Sequence, residues 1–294
     1  MMKQERPLAN LCDLRVFAVS QIDNSNRSSK AMKLIFNLIS VSALLLTSTL
    51  AIAETPDVSE IIERANNAAY YAGSDGRSEA RMRIIDGRGR EQVRQFTLLR
   101  RNGEESRQEY LVVFSRPADV RGTVFLVHKN PGADDNRWLY LPGLDLVRRI
   151  APGDVRTSFV GSHVYYEDVS GRHLAEDNHE LVETTDEHYI IRSTPKNPGS
   201  VEFAALNTWI DRDTFLPMKS EYEKADGTVY RRMEIQQVEE IDGYPTGTIM
   251  RMDDLDEGGH TMVEFRFASY DLGIPESVFT ERSLRNPPRE WLQR

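Results

Sequence analysis

The chain has 294 residues with 37 Lys+Arg against 46 Asp+Glu, a formal net charge of -9. Residues 1–53 hold six of the basic and three of the acidic side chains, which leaves 31 against 43 beyond them; so acidic a surface repels phosphate backbones and excludes nucleic acid as an expected partner. The single cysteine, Cys12, lies before the first apolar run, so the chain beyond that run has no disulfide, no thiolate nucleophile and no cysteine metal ligand.

Residues 1–31 are polar and without periodicity, and are set aside as an upstream extension. Met32-Lys33 then opens an apolar run from Leu34 to Ile52, closed by Ala51-Ile52-Ala53. A basic start, an apolar stretch and small residues at its end predict a secretory signal peptide, cut after Ala53. Asn37, Ser40, Ser42, Thr47, Ser48 and Thr49 dilute the run, which favours removal over a retained membrane anchor. No cysteine follows the cut to carry a lipid. The expected product is one domain, residues 54–294, in the bacterial periplasm.

Asp57 to Glu63 predicts a helix capped by Asp57 and ended by Gly73, with Val58, Ile61, Ile62, Ala65 and Ala69 on one face. Period two then takes over. Ala80, Met82 and Ile84 alternate with Arg81 and Arg83, Asp86-Gly87-Arg88-Gly89 turns, Phe96 and Leu98 share a parity, and Asn102-Gly103 turns again. Tyr110–Phe114 and Gly122–Val127 are continuous apolar runs, the mark of strands covered on both faces.

Arg137–Leu141 and Leu144–Ile150, joined by Pro142-Gly143, predict a hairpin. Trp138 and Tyr140 share one face of it while Leu139 and Leu141 share the other. Both faces are apolar, so each must be covered, by protein or by a ligand. Beyond Val201 the alternation resumes in Val201, Phe203, Ala205 and Trp209, in Val229, Met233 and Ile235, and in Val263, Phe265 and Phe267. The spacing gives eleven or twelve strands of an all-β sandwich or barrel, with no linker and no second domain.

Arg137-Trp138-Leu139-Tyr140-Leu141-Pro142, Val147–Ile150, Ser158–Ser162 and Tyr166-Glu167-Asp168 together resemble the signature of the outer-membrane lipoprotein-sorting protein family, relatives of the periplasmic lipoprotein carrier LolA. Arg116–Thr123, Trp209–Pro217 and Ile274–Thr280 are similar to further segments of that family, in order. The resemblance implies a mainly β fold, an unclosed antiparallel barrel or half-pipe of about eleven strands, whose concave face is covered by helices and holds acyl chains. It also implies a lipid or lipoprotein cargo and a partner among exporters of the resistance-nodulation-division type.

Under that resemblance the cavity would be lined from Met82, Ile84, Phe96, Leu98, Val112, Phe114, Trp138, Tyr140, Phe159, Phe203, Trp209, Phe265 and Phe267, although period two alone does not decide which parity faces inward. Trp138 and Phe203 are then places where an Asp should abolish loading. Arg148-Arg149 opposite Glu167-Asp168 would pair with each other near the mouth or contact a headgroup.

Chemistry leaves weaker traces. His128, His163, His173, His179, His188 and His260 show no i, i+2 or i, i+4 pair, so no metal site is expected. Gly161-Ser162-His163 is not a nucleophile elbow. Asp253–Gly259 misses the spacing of a calcium loop and reads as a solvated hairpin turn. A hydrolase finds no catalytic constellation here. The expectation is therefore a carrier that needs no cofactor and moves a lipid or lipidated protein between membranes, the alternative being a sensor or adaptor of an envelope exporter on the same fold.

Overall fold

The computed structural model describes residues 56–292; the predicted signal peptide, its cut site and Cys12 lie outside them. Helix α1 (Val58–Tyr70) starts where the capping residue predicts, the Asp57 carboxylate accepting from the Ser59 amide at 3.2 Å and so satisfying a donor that the first turn leaves open. Its buried stripe, Ile61, Ile62 and Ala65, packs on Tyr189, Ile191, Ile210 and Phe215.

Thirteen strands come after it among the described residues: β1 (Asp75–Asp86), β2 (Glu91–Asn102), β3 (Gln108–Arg116), β4 (Val124–Lys129), β5 (Asn136–Leu141), β6 (Leu146–Arg149), β7 (Asp177–Thr184), β8 (His188–Pro195), β9 (Ala205–Asp211), β10 (Pro217–Glu223), β11 (Val229–Ile241), β12 (Tyr244–Asp254) and β13 (Gly259–Tyr270). The count exceeds the eleven or twelve expected because the apolar alternation does not pick out β7 and β8. β7 is an edge strand with few apolar side chains, so it carries little of the alternation that marks a strand.

The strands form one sheet in the order β6-β5-β4-β3-β2-β1-β13-β12-β11-β10-β9-β8-β7. Every neighbouring pair is antiparallel. The end strands β6 and β7 do not pair, so the barrel is unclosed, as expected. This topology has a strong consequence for the chain between them: residues 150–176 must travel from one edge of the sheet to the other. They do so over the concave face. Ile150, Phe159, Val164 and Tyr166 are buried there against Met82, Phe96, Val112, Phe114, Phe125 and Val127, and the Phe159 ring sits 5.6 Å from Phe114 and 5.4 Å from Phe125. Helix α2 (Tyr166–Ser170) lies within this crossover.

The opposite face is closed by the chain after β13. The Asp75 carboxylate accepts from the amides of Leu272, Gly273 and Ile274 at 2.8, 2.8 and 2.9 Å and turns the chain back over the sheet. Ile274, Val278, Phe279 and Leu284 then bury against Leu99, Leu111, Val113, Val124 and Leu126, with helix α3 (Arg282–Arg285) and helix α4 (Arg289–Leu292) completing the cover. The apolar runs of β3 and β4 are thus explained by two protein layers. So is the two-faced hairpin: Trp138 and Tyr140 pack under the C-terminal return, and Leu139 packs under the crossover.

Candidate functional site

Antiparallel registration stacks the concave face in rows. One row is Met82, Val263, Met250 and Ile235 across β1, β13, β12 and β11. The next is Phe114, Phe96, Ala80 and Phe265 across β3, β2, β1 and β13. A third is Tyr110, Arg100, Gly76 and Tyr270 across the same four strands. Crossover and helix do not fill the space above these rows. A cavity of about 270 Å³ remains, floored by side chains that include Met82, Phe96, Leu98, Val112, Met233, Met250 and Phe265, and roofed by Ala68, Ala69 and Tyr70 of α1 with Phe159, Val164, Asp168 and Val169 of the crossover. Its lining is chiefly apolar, with the few polar groups set at particular points, the usual composition of a small-molecule site.

Of the side chains expected to line a cavity, Met82, Phe96, Leu98, Val112, Phe159 and Phe265 do so. Ile84 and Phe114 belong to the same concave layer but lie in its filled part, packed among side chains. The others sit elsewhere. Trp138 and Tyr140 face the C-terminal return because the hairpin directs that parity to the convex side. Phe203 precedes β9 and is buried beside Tyr222 under the guanidinium of Arg156, 4.9 Å away. Trp209 is the neighbour of Ile210, which packs on α1, so Trp209 points to the opposite face, where the Lys219 ammonium lies 3.4 Å over its ring. Phe267 breaks the alternation: it has φ 54° and lies where β13 holds one residue more than β1, between the pairs Arg77 with Ser269 and Glu79 with Arg266. Such a bulge inserts one residue and reverses the parity. Ala268 therefore reaches the cavity, while Phe267 is 51% exposed.

The expected pairing of Arg148-Arg149 with Glu167-Asp168 is replaced by other partners. Arg148 meets Asp154 at 3.2 Å and Arg149 meets Asn136. Glu167 accepts from Arg156 and Arg172, and Asp168 from Arg231. Ion pairs thus tie the crossover down. Ser162, set aside as a nucleophile, is buried with its hydroxyl between the carbonyls of Phe159 and Val164.

Lys129 belongs to the same support. Its Nζ donates to the carbonyls of Ser170 and Gly171 at 2.7 and 3.0 Å, at the end of α2. Burial pulls its pKa down to about 8, against the field of Asp135. In the unfolded chain a lysine titrates near 10.4, so above pH 8 the unfolded chain binds the extra proton and stability rises with pH. The neutral amine can still donate to both carbonyls. In denaturant titrations the wild type should gain roughly 1.5 kcal/mol relative to Lys129→Met between pH 8 and 9.5, a difference in which the tyrosines common to both proteins cancel. Above pH 10 the trend reverses, because burial raises the phenol pKa of Tyr70 and Tyr110 in the fold and only the unfolded chain ionises them.

A second, larger recess of about 930 Å³ lies where the β1–β2, β10–β11 and β12–β13 turns meet the crossover, lined by Asp86, Asp253, Asp256, Glu257, Lys224, His163 and Arg231 among others. It is polar and lies at the strand ends. The Asp253–Gly259 segment there is a hairpin turn, Asp254 accepting from the amides of Asp256 and Glu257. Among the described residues no group of three or more His, Cys, Asp or Glu is placed to hold a metal.

Comparison with known proteins places this architecture. A family model described as "-like: Uncharacterized protein" matches residues 106–286. The crystal structure of a DUF1329 family protein from Desulfovibrio piger matches with a TM-score of 0.70 and 30% identity, over 78% of this chain and 100% of that one. The chain belongs to the DUF1329 family. A domain described as an outer membrane lipoprotein-sorting protein, from Vibrio parahaemolyticus, matches at a TM-score of 0.69 and 24% identity, over 77% of this chain and 97% of that one. A LolA superfamily protein from Nitrosomonas europaea matches at 0.61 and 18%, over 78% and 99%. These two show that the DUF1329 chain shares their fold. No curated protein matches its sequence.

Several lining residues of this DUF1329 protein escape a reading of the sequence. Met250 and Arg100 have a visible parity with their strand neighbours but no apolar alternation strong enough to single them out. Ala68 and Tyr70 lie at the end of α1 on the flank of its packed stripe, and Ala69, expected within that stripe, is exposed and lines the cavity. Val164 and Val169 sit in the crossover, whose path over the sheet is set by strand order and not by local pattern.

Proposed function

We propose that this DUF1329 protein is a periplasmic carrier that seats an acyl chain of a lipid or lipidated protein in the concave cavity and passes it to a membrane partner. The observation that supports this reading is the apolar cavity itself, left between an unclosed sheet and a roof made of one helix and one edge-to-edge crossover. A methylene fills about the volume of a water molecule in the liquid, roughly 30 Å³, so the space takes on the order of nine. At about 0.8 kcal/mol for each buried methylene, the gross gain is roughly 7 kcal/mol, from which the cost of immobilising the chain is subtracted. Binding of that strength is reversible, as a carrier requires, and one chain is held at a time. Release then needs an acceptor that binds the lipid better or favours a looser crossover, and an envelope exporter of the resistance-nodulation-division type is the partner proposed.

The test is to express the full chain with its leader, purify the exported product, and record its mass under native conditions before and after denaturing extraction. The expected species begins at Glu54 and carries one lipid in stoichiometric amount. A bare mass with no uptake of offered lipid would overturn the carrier reading.

A further inference from the structure

One charged group of the cavity has no counterpart. Arg100 of β2 is 6% exposed and lines the cavity. Its Nη1 donates to Asn102 Oδ1 at 2.7 Å and its Nη2 to the carbonyl of Ala72, which occupies two of the five N–H donors of a guanidinium. Among the described residues no carboxylate forms an ion pair with it. The other buried arginines differ: Arg94 has Asp119 at 3.8 Å, Arg137 has Asp135 and Arg231 has Asp168, while of the partly buried ones Arg156 has Glu167 and Glu202 and Arg172 has Asp177. The carboxylates whose field reaches Arg100 are Asp75 and Asp271, and both are committed elsewhere. Asp75 holds the three amides of the C-terminal return, and Asp271 accepts from the amide and hydroxyl of Ser74 and from Tyr244.

Burying a guanidinium without a counter-charge is expensive. A latch for the end of α1 needs one donor, and a neutral amide would supply it. The position of Arg100 suggests more. Along β2, Phe96, Leu98 and Arg100 face the same way, and at about 3.4 Å per residue the row is roughly 14 Å long with the cation at one end. Around that end stand Tyr110 and Tyr270, the latter with its hydroxyl 2.9 Å from that of Thr246. Gly76 keeps the floor open here, since a Cβ on it would come within 3.2 Å of the Tyr270 ring. The cavity is thus apolar along its length and cationic at one end. Among the described residues its one lining carboxylate, Asp168, is neutralised by Arg231.

We propose that the ligand is a single-chain amphiphile with a carboxylate head, of the fatty-acid class, whose carboxylate pairs with Arg100 while its chain lies over Leu98, Phe96 and Phe265. The inference rests on the carrier reading and narrows it. The planar fork of a guanidinium matches a carboxylate in two parallel hydrogen bonds, and the three donors still open on Arg100 allow it.

Decanoate and decanol have chains of one length and differ at the head, so they separate this proposal from the reading beneath it. Each is titrated calorimetrically at pH 7.5 into the exported, lipid-stripped protein and into Arg100→Gln, with thermal melts of both proteins. Decanoate is expected to bind the wild type at least tenfold more tightly than decanol, and Arg100→Gln to remove the difference by weakening decanoate alone. Equal, measurable binding of the two by the wild type would overturn the carboxylate proposal and leave the carrier reading standing. Binding of neither would overturn both. If Arg100→Gln does not fold, the wild-type comparison of acid with alcohol decides by itself.

Discussion

Met250→Asp should abolish lipid loading while the protein stays folded. Met250 stands on β12 between Ile235 and Val263 in the row that floors the cavity, and its side chain is half-buried. In the empty protein an aspartate there faces the unfilled cavity and can keep water, so the loss of stability should stay within about 2 kcal/mol. With an acyl chain seated, the same carboxylate loses that water and gains no partner. A desolvated, unpaired charge costs several kcal/mol, which is comparable with the roughly 7 kcal/mol that the chain gains on burial. Binding should fall by more than 100-fold, read as loss of the lipid adduct in native mass spectra beside a melting curve close to that of the parent. Trp209→Ala is the matched control. That ring lies under Lys219 on the other face of the sheet, and its loss should leave loading unchanged. A folded Met250→Asp protein that still carries lipid would show that the ligand lies elsewhere.

The contrast between those two residues shows what the sequence could reveal. Strands with an apolar and a polar side, such as β1, and the capped helix α1 were legible because a local repeat records which side is buried. Segments apolar on both sides, β3 to β5, were legible as strands yet silent about which parity meets a ligand, and here protein covers each. Trp209 and Phe203 were plausible cavity residues by type. One is turned away by the register of β9, the other by lying outside the strand. Phe267 continues the alternation of Val263 and Phe265 until one residue at positive φ reverses it, a change that no property of Phe267 announces. The crossover is non-local in a stricter sense. Only the pairing of β1 with β13 leaves β6 and β7 at opposite edges, and that pairing joins residues nearly two hundred apart in the chain. The buried arginines share this origin, since each is paired or left alone by segments that the fold brings together.

The same logic identifies Arg231 as the strut between floor and roof, and Arg231→Leu as a large stability loss. Its side chain is 3% exposed. From β11 it donates to both oxygens of Asp168 and, at 3.0 Å, to the carbonyl of His163, and its guanidinium lies 3.9 Å from the centre of the Tyr165 ring. All three partners belong to the crossover. Removing the cation leaves Asp168 mostly buried with no opposite charge, an arrangement that costs about 3–5 kcal/mol. Asp168 also accepts from the Tyr165 amide at 2.6 Å as the cap of α2, so its second variant is Asp168→Asn, which keeps an acceptor for that amide and removes the charge. The double variant Arg231→Leu/Asp168→Asn no longer holds an unpaired ion, and in urea denaturation it should recover about half of the loss. Strict additivity would mean that the pair does not couple and that Arg231 acts through the His163 carbonyl and the Tyr165 ring. If the crossover is the part of the roof that gives way during release, the double variant should also exchange bound lipid faster than the parent. Faster exchange than in a control variant destabilised to the same melting temperature elsewhere in the sheet would locate the moving part in the crossover, because a general loosening would speed exchange equally in both.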